Sequence, residues 1–260
     1  MIVEIIKYML STASSAVKKT GYLHEAIAIE SRYRRAKESW QPHIDNTRNQ
    51  IISTVSKINK FDCIVVAGAG SLFDVPVALL AEKFNQVILI DIVFTHKARQ
   101  IAGRFNNVQL QVADLSGIQD PAILCASTRN LPELDVPQLP ELLSHPDLFV
   151  SVNLFSQLAV TPRMCLEKKQ QYDEKILDQW CSELLNNQLQ FMRQLECPVC
   201  IISDHTHHVL DQHGKQVQQN DMLYGCQLPG KQADWLWDLA PAGELKGGYR
   251  IKADVSCWLW

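Results

Sequence analysis

Apolar positions along this chain fall into two kinds of run. Short continuous blocks, rich in β-branched residues and bounded by polar or glycine residues, occur at Cys63–Ala67, Val87–Ile90, Val108–Val112, Leu148–Val152 and Val199–Ser203. Blocks of that length read as strands buried on both faces of a sheet. Two further strands are expected at Ala233–Leu239 and Tyr249–Trp258, joined by the polar, glycine-rich turn Ala240–Gly248. The other kind of run has helical spacing. Ile2, Ile5, Ile6, Met9, Leu10, Ala13 and Val17 recur on one helix face and stop near Gly21. A second helix is expected from Tyr22 to about Trp40, with Pro42 separating it from a third at Ile44–Ile58. Thr95–Arg104 reads as a short helix. Glu167–Leu195 reads as a long one, with Ile176, Trp180, Leu184, Leu185, Leu189, Phe191 and Met192 on its apolar face. Prolines at 121, 132, 137, 140 and 146 leave room for only a short helix at Pro121–Ser127.

In chain order these elements give strand, helix, strand, helix, strand from Phe61 onwards, half of a doubly wound, mostly parallel α/β sheet. The first strand stops at Gly68-Ala69-Gly70, and the second and third are followed by Asp91 and Asp114. Glycines at a strand's carboxyl edge let backbone and ligand approach closely, and an acid about 20 residues on can accept both hydroxyls of a ribose. A nucleoside ligand is expected at that edge. The chain then divides into a helical cap, residues 1–60, and a Rossmann-like domain, residues 61–260.

With 260 residues, 47% of them hydrophobic, the chain can bury a substantial core in one main domain. A net charge of −3 offers no global attraction to nucleic acid or to an anionic membrane. Glu4, Lys7 and the Ser/Thr cluster interrupt the N-terminal apolar run, so neither a secretory signal nor a membrane span is expected, and the protein reads as cytoplasmic. The eight scattered cysteines suit reduced thiols better than a disulfide framework, and Cys197-Pro198-Val199-Cys200 has no second pair to make a zinc site.

VVAGAG, VILID and VQLQVADLSG, in that order, resemble the first three motifs of class I S-adenosylmethionine-dependent methyltransferases, over roughly residues 61–260. The resemblance implies a seven-stranded sheet of order 3-2-1-4-5-7-6, closed by an antiparallel pair, and S-adenosylmethionine as cofactor. It places Gly68, Ala69 and Gly70 under the methionine part, Asp91 with Ile92 at the ribose and Asp114 with Leu115 at the adenine. Asn153 and Gln157, after the fourth strand, would lie beside the transferred methyl group. Two departures stand out: the position of the family's frequent third glycine is Leu72, and Pro76 disfavours helical geometry at Val75, so that the next helix begins near Asp74–Pro76. Asp74 reads first as a helix cap and second as a charge for the cofactor's ammonium group. No Asn/Asp-Pro-Pro-aromatic tetrapeptide follows the fourth strand, which argues against amino-methylation of adenine or of a glutamine amide.

Catalytic candidates are His205, Asn153 and His43. The run Asp204-His205-Thr206-His207-His208 leaves a strand at the active edge, where one imidazole could act as general base. Four such groups could also bind a metal or stand inert in a loop, and no metal ligand is assigned. In the cap, Trp40, His43 and Arg48 read either as a solvated helix face or as a lid over the cleft. The acceptor is a small molecule or a protein, with no nucleic acid or membrane partner expected. A nicotinamide-dependent oxidoreductase and a non-catalytic nucleoside-binding protein are the competing readings.

Overall fold

The computed structural model describes residues 20–126, 130–139, 145–169 and 171–260. The first expected helix, Ile2–Val17, lies outside the described residues. Two helices lead in, α1 (Tyr22–Arg35) and α2 (Lys37–Val55). Then follow β1 (Cys63–Ala67), α3 (Val77–Lys83), β2 (Gln86–Asp91), α4 (His96–Ala102), β3 (Val108–Val112) and a 3-10 turn at Pro121–Cys125. The chain continues through β4 (Leu148–Val152), α5 (Gln157–Glu167), α6 (Glu174–Arg193), β5 (Val199–Leu210), β6 (Gln216–Asp221), β7 (Lys231–Ala240) and β8 (Arg250–Leu259).

The strands form one sheet of order β3-β2-β1-β4-β5-β8-β7, with β6 paired to β5 off that path. The pairs from β3 to β5 are parallel, in a register that sets Val65 beside Ile88 on one side and Phe149 on the other. β5–β8 and β8–β7 are antiparallel. With β6 set aside this is the order that the resemblance implied, and β6 is an eighth strand absent from the sequence reading. The fold is a doubly wound, Rossmann-like α/β sandwich. One face of the sheet packs under α2, α3 and α4, through Trp40, Ile44, Ile51, Val55, Leu80 and Ala98. The other packs under α5 and α6, through Leu158, Ala159, Leu177, Trp180, Leu184 and Leu185. Among the described residues no helix is long and apolar enough to cross a membrane.

Several boundaries differ from the sequence reading. The break between α1 and α2 falls at Ala36 (φ −102°, ψ 26°), and Pro42 sits inside α2. An internal proline costs about 3 kcal/mol, and burying each large apolar side chain returns about 1.5–3 kcal/mol. Trp40 and Ile44, on either side of Pro42, are both buried, so packing outweighs the lost hydrogen bond. The long helix expected at Glu167–Leu195 is α6, which starts later, at Glu174, because Asp173 caps it, its carboxylate accepting from Lys175 N at 2.9 Å. α5, which ends at Glu167, is a separate helix before it. β5 does not end at Ser203; it spans twelve residues, Val199–Leu210, and carries His205, His207 and His208 within a strand, not a loop. All eight cysteines are free thiols. Cys197 and Cys200 lie at the start of β5, at the edge away from the strands' carboxyl ends.

Candidate active site

A cleft of about 420 Å³ opens at the carboxyl ends of β1, β2 and β4, the edge at which ligands bind in open α/β sheets. Its size suits a small ligand, since such pockets span roughly 300–1,000 Å³. Gly68, Gly70, Asp91, Ile92, Asp114, Leu115 and Asn153 line it, as does Gln157. Ala69 is fully buried behind the turn.

The glycines are required by close contacts. Gly68 has φ +84°, and a Cβ there would stand 2.2 Å from the Val152 carbonyl of the neighbouring strand. A Cβ on Gly70 would stand 2.6 Å from the Val93 carbonyl and 2.9 Å from the Asp91 carboxylate. That bare approach lets Gly70 N donate to Asp91 Oδ2 at 2.8 Å, while Val93 N donates to Oδ1 at 3.1 Å. Asp91 is thus held from behind by the backbone. Burial nevertheless pushes its carboxyl up to about 6, against the downward pull of these N–H groups. Leu72, at the place of the family's third glycine, has φ 57° with its side chain buried. The backbone keeps the left-handed turn that glycine would take freely, with a bulkier residue in it.

Asp114 accepts from Ser116 N at 2.8 Å. Close to it, Tyr22 of α1 brings a buried hydroxyl with no protein partner among the described residues. Burial, then the Asp114 charge, push that phenol well above its ordinary range. One polar atom of the Asn153 carboxamide is buried and unpaired too. Orphaned polar atoms at both ends of a cleft are what a polar ligand would satisfy, and a nucleoside with an amino-acid tail fits that demand.

Asp74 does not cap a helix. α3 starts at Val77 after Pro76 and has no side-chain cap. The Asp74 carboxyl instead lies 2.6 Å from the side-chain amide of Asn153. Asn153 leaves β4 in the left-handed region (φ 47°), which asparagine tolerates better than most residues. Its amide also lies 3.0 Å from His43 Nε2.

His43 lines the cleft, the lid alternative of the sequence reading, whereas His205 does not. His43 is buried in the cleft wall, stacked 3.9 Å from Trp237, with Trp235 Nε1 donating to its Nδ1 at 3.1 Å. Burial lowers its pKa to about 3. With both nitrogens engaged it is a neutral wall residue and no free base. His205 is outside the cleft lining; its Nδ1 pairs with Thr206 Oγ1 and its ring meets Trp258 edge-on. Of the histidine run on β5, the member that lines the cleft is His207. A strand alternates faces, so residues three apart point oppositely, but the β5–β8 register slips by one residue between Asp204 and Thr206. The bulge returns Asp204 and His207 to one side, where Asp204 Oδ2 and His207 Nε2 are 2.5 Å apart. Asp204 is fully buried and also accepts from Ser156 Oγ. Burial raises its carboxyl, and the His207 and Ser156 contacts outweigh that and hold it below the ordinary carboxylate range. His208 turns away to Asp254, 2.8 Å distant. Among the described residues no three metal-ligating side chains converge.

The remaining walls are Trp40, Trp237, Leu239, Ile251 and Met222, and α1 adds Glu25, Ile29 and Arg32 from above. Arg35 ties α1 to the β7–β8 loop through two bonds to Glu244, at 2.9 and 2.8 Å. Trp40 Nε1 donates to Leu239 O at 3.0 Å. Arg48 is not itself among the lining residues; its Nη2 donates to Phe73 O at 2.5 Å. Tyr22 was missed by sequence reasoning and left no local signal; His207 lay inside the histidine run in which His205 was the chosen candidate.

No protein-family model and no curated protein sequence matches the chain. Solved structures of similar fold include a DhpI-SAM-HEP complex at 10% identity, covering 93% of this chain and 83% of that one, with a TM-score of 0.41. Another is the Burkholderia thailandensis 1,6-didemethyltoxoflavin-N1-methyltransferase with bound 1,6-didemethyltoxoflavin and S-adenosylhomocysteine, at 12% identity, 90% and 89% coverage and a TM-score of 0.41. The N-methyltransferase NodS from Bradyrhizobium japonicum WM9, in complex with S-adenosylhomocysteine, is similar at 12% identity, 88% and 96% coverage and a TM-score of 0.39. At such identity these likenesses assign no residue of this chain a role.

Proposed function

We propose that the chain is an S-adenosylmethionine-dependent methyltransferase acting on a small molecule, with the helical segment before β1 as a cap over its cleft. The observation that carries this reading is Asp91, fixed by Gly70 N and Val93 N at the carboxyl edge of β2 and facing the cleft, where a ribose would meet it. Asp114 and the Tyr22 hydroxyl would meet the adenine side. Gly68 and Gly70 would pass under the methionine part. When bound, the cofactor supplies a methyl group activated by its sulfonium charge.

His207 is the proposed general base. Its Nε2 is bound to Asp204, so the proton leaving a hydroxyl, thiol or amine of the acceptor goes to Nδ1. Asp204 orients the ring and stabilises the imidazolium that forms. The heteroatom so deprotonated would receive the methyl group that the cofactor supplies. Trp40 and Trp237 offer an apolar surface for the acceptor body and hold it in line, a positioning effect that supplies much of the acceleration in such transfers. A cytoplasmic location accords with the free thiols.

Calorimetric titration with S-adenosylhomocysteine tests the reading, with NADH as paired control and Asp91→Ala as site control. Micromolar binding of S-adenosylhomocysteine alone, lost in Asp91→Ala, is the expected result. Binding of NADH instead would move the protein to the oxidoreductases, and binding of neither would leave a non-catalytic protein.

A further inference from the structure

The hydrogen-bond chain Trp235–His43–Asn153–Asp74 fixes where its protons must be. An indole N–H can only donate, so His43 Nδ1, 3.1 Å from Trp235 Nε1, must present a lone pair. A neutral imidazole then carries its proton on Nε2. Nε2 is 3.0 Å from one atom of the Asn153 amide, and to receive that proton the atom must be the carboxamide oxygen. The oxygen and nitrogen of an amide are told apart by their hydrogen-bond partners, and here the partners demand the oxygen. The same atom is 2.6 Å from Asp74 Oδ2. Two oxygens at that distance need a proton between them.

We propose that Asp74 is a neutral carboxylic acid in the folded protein, donating its proton to Asn153 and so turning the asparagine NH2 towards its unpaired position on the cleft wall. There it offers a donor pair to an oxygen of the bound ligand. Asp74 is a positioning residue that acts through Asn153, not a charge for the cofactor's ammonium group.

The opposite arrangement, an ionised Asp74 accepting from the amide NH2, fails at the far end of the chain. It needs His43 Nε2 as acceptor and hence a proton on Nδ1, head-on to the indole N–H at 3.1 Å. The groups facing Asp74 come from three elements. Asn153 follows β4 and Asp91 ends β2, and the charges of Asp91 and Asp74 disfavour each other. Arg48 on α2 favours ionisation, but no ion pair joins it to Asp74 among the described residues, and its Nη2 is committed to Phe73 O. Burial weighs most, raising the Asp74 carboxyl.

Nitrogen-15 NMR of wild-type protein at neutral pH, assigned with a His43→Gln variant, reads the tautomer directly, and infrared difference spectra of wild type against Asp74→Asn read the acid. The expected result is a neutral His43 with its proton on Nε2, and a carboxylic-acid carbonyl band lost in Asp74→Asn. A proton on Nδ1, or no acid band at neutral pH, overturns the proposal. If either variant fails to fold, pH titration of the acid band in wild type decides in its place: a band persisting well above pH 6, where Asp91 has ionised, supports the proposal, and its absence there overturns it. These measurements need neither cofactor nor acceptor, so they fail separately from the methyltransferase reading. Where S-adenosylhomocysteine binds, Asp74→Asn keeps the affinity within about threefold, because its amide NH2 replaces the acid as donor to Asn153, and a loss of about tenfold or more would refute the assignment.

Discussion

Replacing Asp91 by asparagine separates what this residue does for the ligand from what it does to the fold. Burial raises the carboxyl from its ordinary 3.8 to about 6. The folded protein therefore keeps a proton in a pH range where the unfolded chain has released it. Stability from this group is fully present below pH 3.8 and is lost as pH rises through about 6. A shift of roughly two units corresponds to about 3 kcal/mol, an upper bound because the cleft admits water. Asparagine cannot ionise, and it loses one acceptor towards Gly70 N or Val93 N, a cost of about 1–3 kcal/mol that does not change with pH. The informative quantity is the stability of Asp91→Asn minus that of wild type. It should become more favourable to the variant by about 2–3 kcal/mol between pH 4 and pH 7. Urea denaturation of both proteins across that range measures it, and the other acids cancel in the difference. A flat difference, or one that favours wild type increasingly as pH rises, would show that the carboxylate is stabilised where it sits and would refute the burial argument.

The same ionisation should govern the ligand: S-adenosylhomocysteine affinity, measured calorimetrically, should rise with pH through about 6 in wild type and show no such dependence in Asp91→Asn. Gly68→Ala should destabilise the fold by more than Gly70→Ala, because it adds a strained φ of +84° to a 2.2 Å clash with a backbone carbonyl. Gly70→Ala should cost about 1–3 kcal/mol by the same urea assay and weaken the ligand by displacing Asp91. His207→Gln should lower turnover of an acceptor by about 10²–10⁴-fold and leave S-adenosylhomocysteine affinity unchanged, and equal turnover would remove His207 as the base.

The sheet was legible because its signals are local. Ile64, Val65 and Val66 on β1, Ile88 and Leu89 on β2, and Phe149 and Val150 on β4 are buried on both faces, and a strand in that position needs a continuous apolar block whatever its neighbours are. Gly68 and Gly70 were legible for a similar reason: a turn that touches the next strand has no room for a side chain, and glycine records that in the sequence. Asp91 and Asp114 could be placed at the cleft because strand ends follow from strand lengths. The break at Ala36 was not legible, because Pro42 is the stronger local signal and only the packing of Trp40 and Ile44 beneath the sheet overrides it.

The chemistry of the side chains was decided in tertiary structure. Whether His205 or His207 faces the cleft depends on one residue of register against β8, which no pattern within β5 records. His43 is neutral because Trp235 and Trp237, nearly 200 positions away, supply the indole N–H and the ring that enclose it. Asp74 faces Asn153 because the loop after β1 meets the end of β4, a contact set by sheet order and not by either segment alone. The sequence by itself determined the strands, their turns and the acids at their ends, since each depends on what a residue and its immediate neighbours can bury or bend. Which side chains hold protons depends on desolvation and on partners across the fold, and only the folded chain decides that.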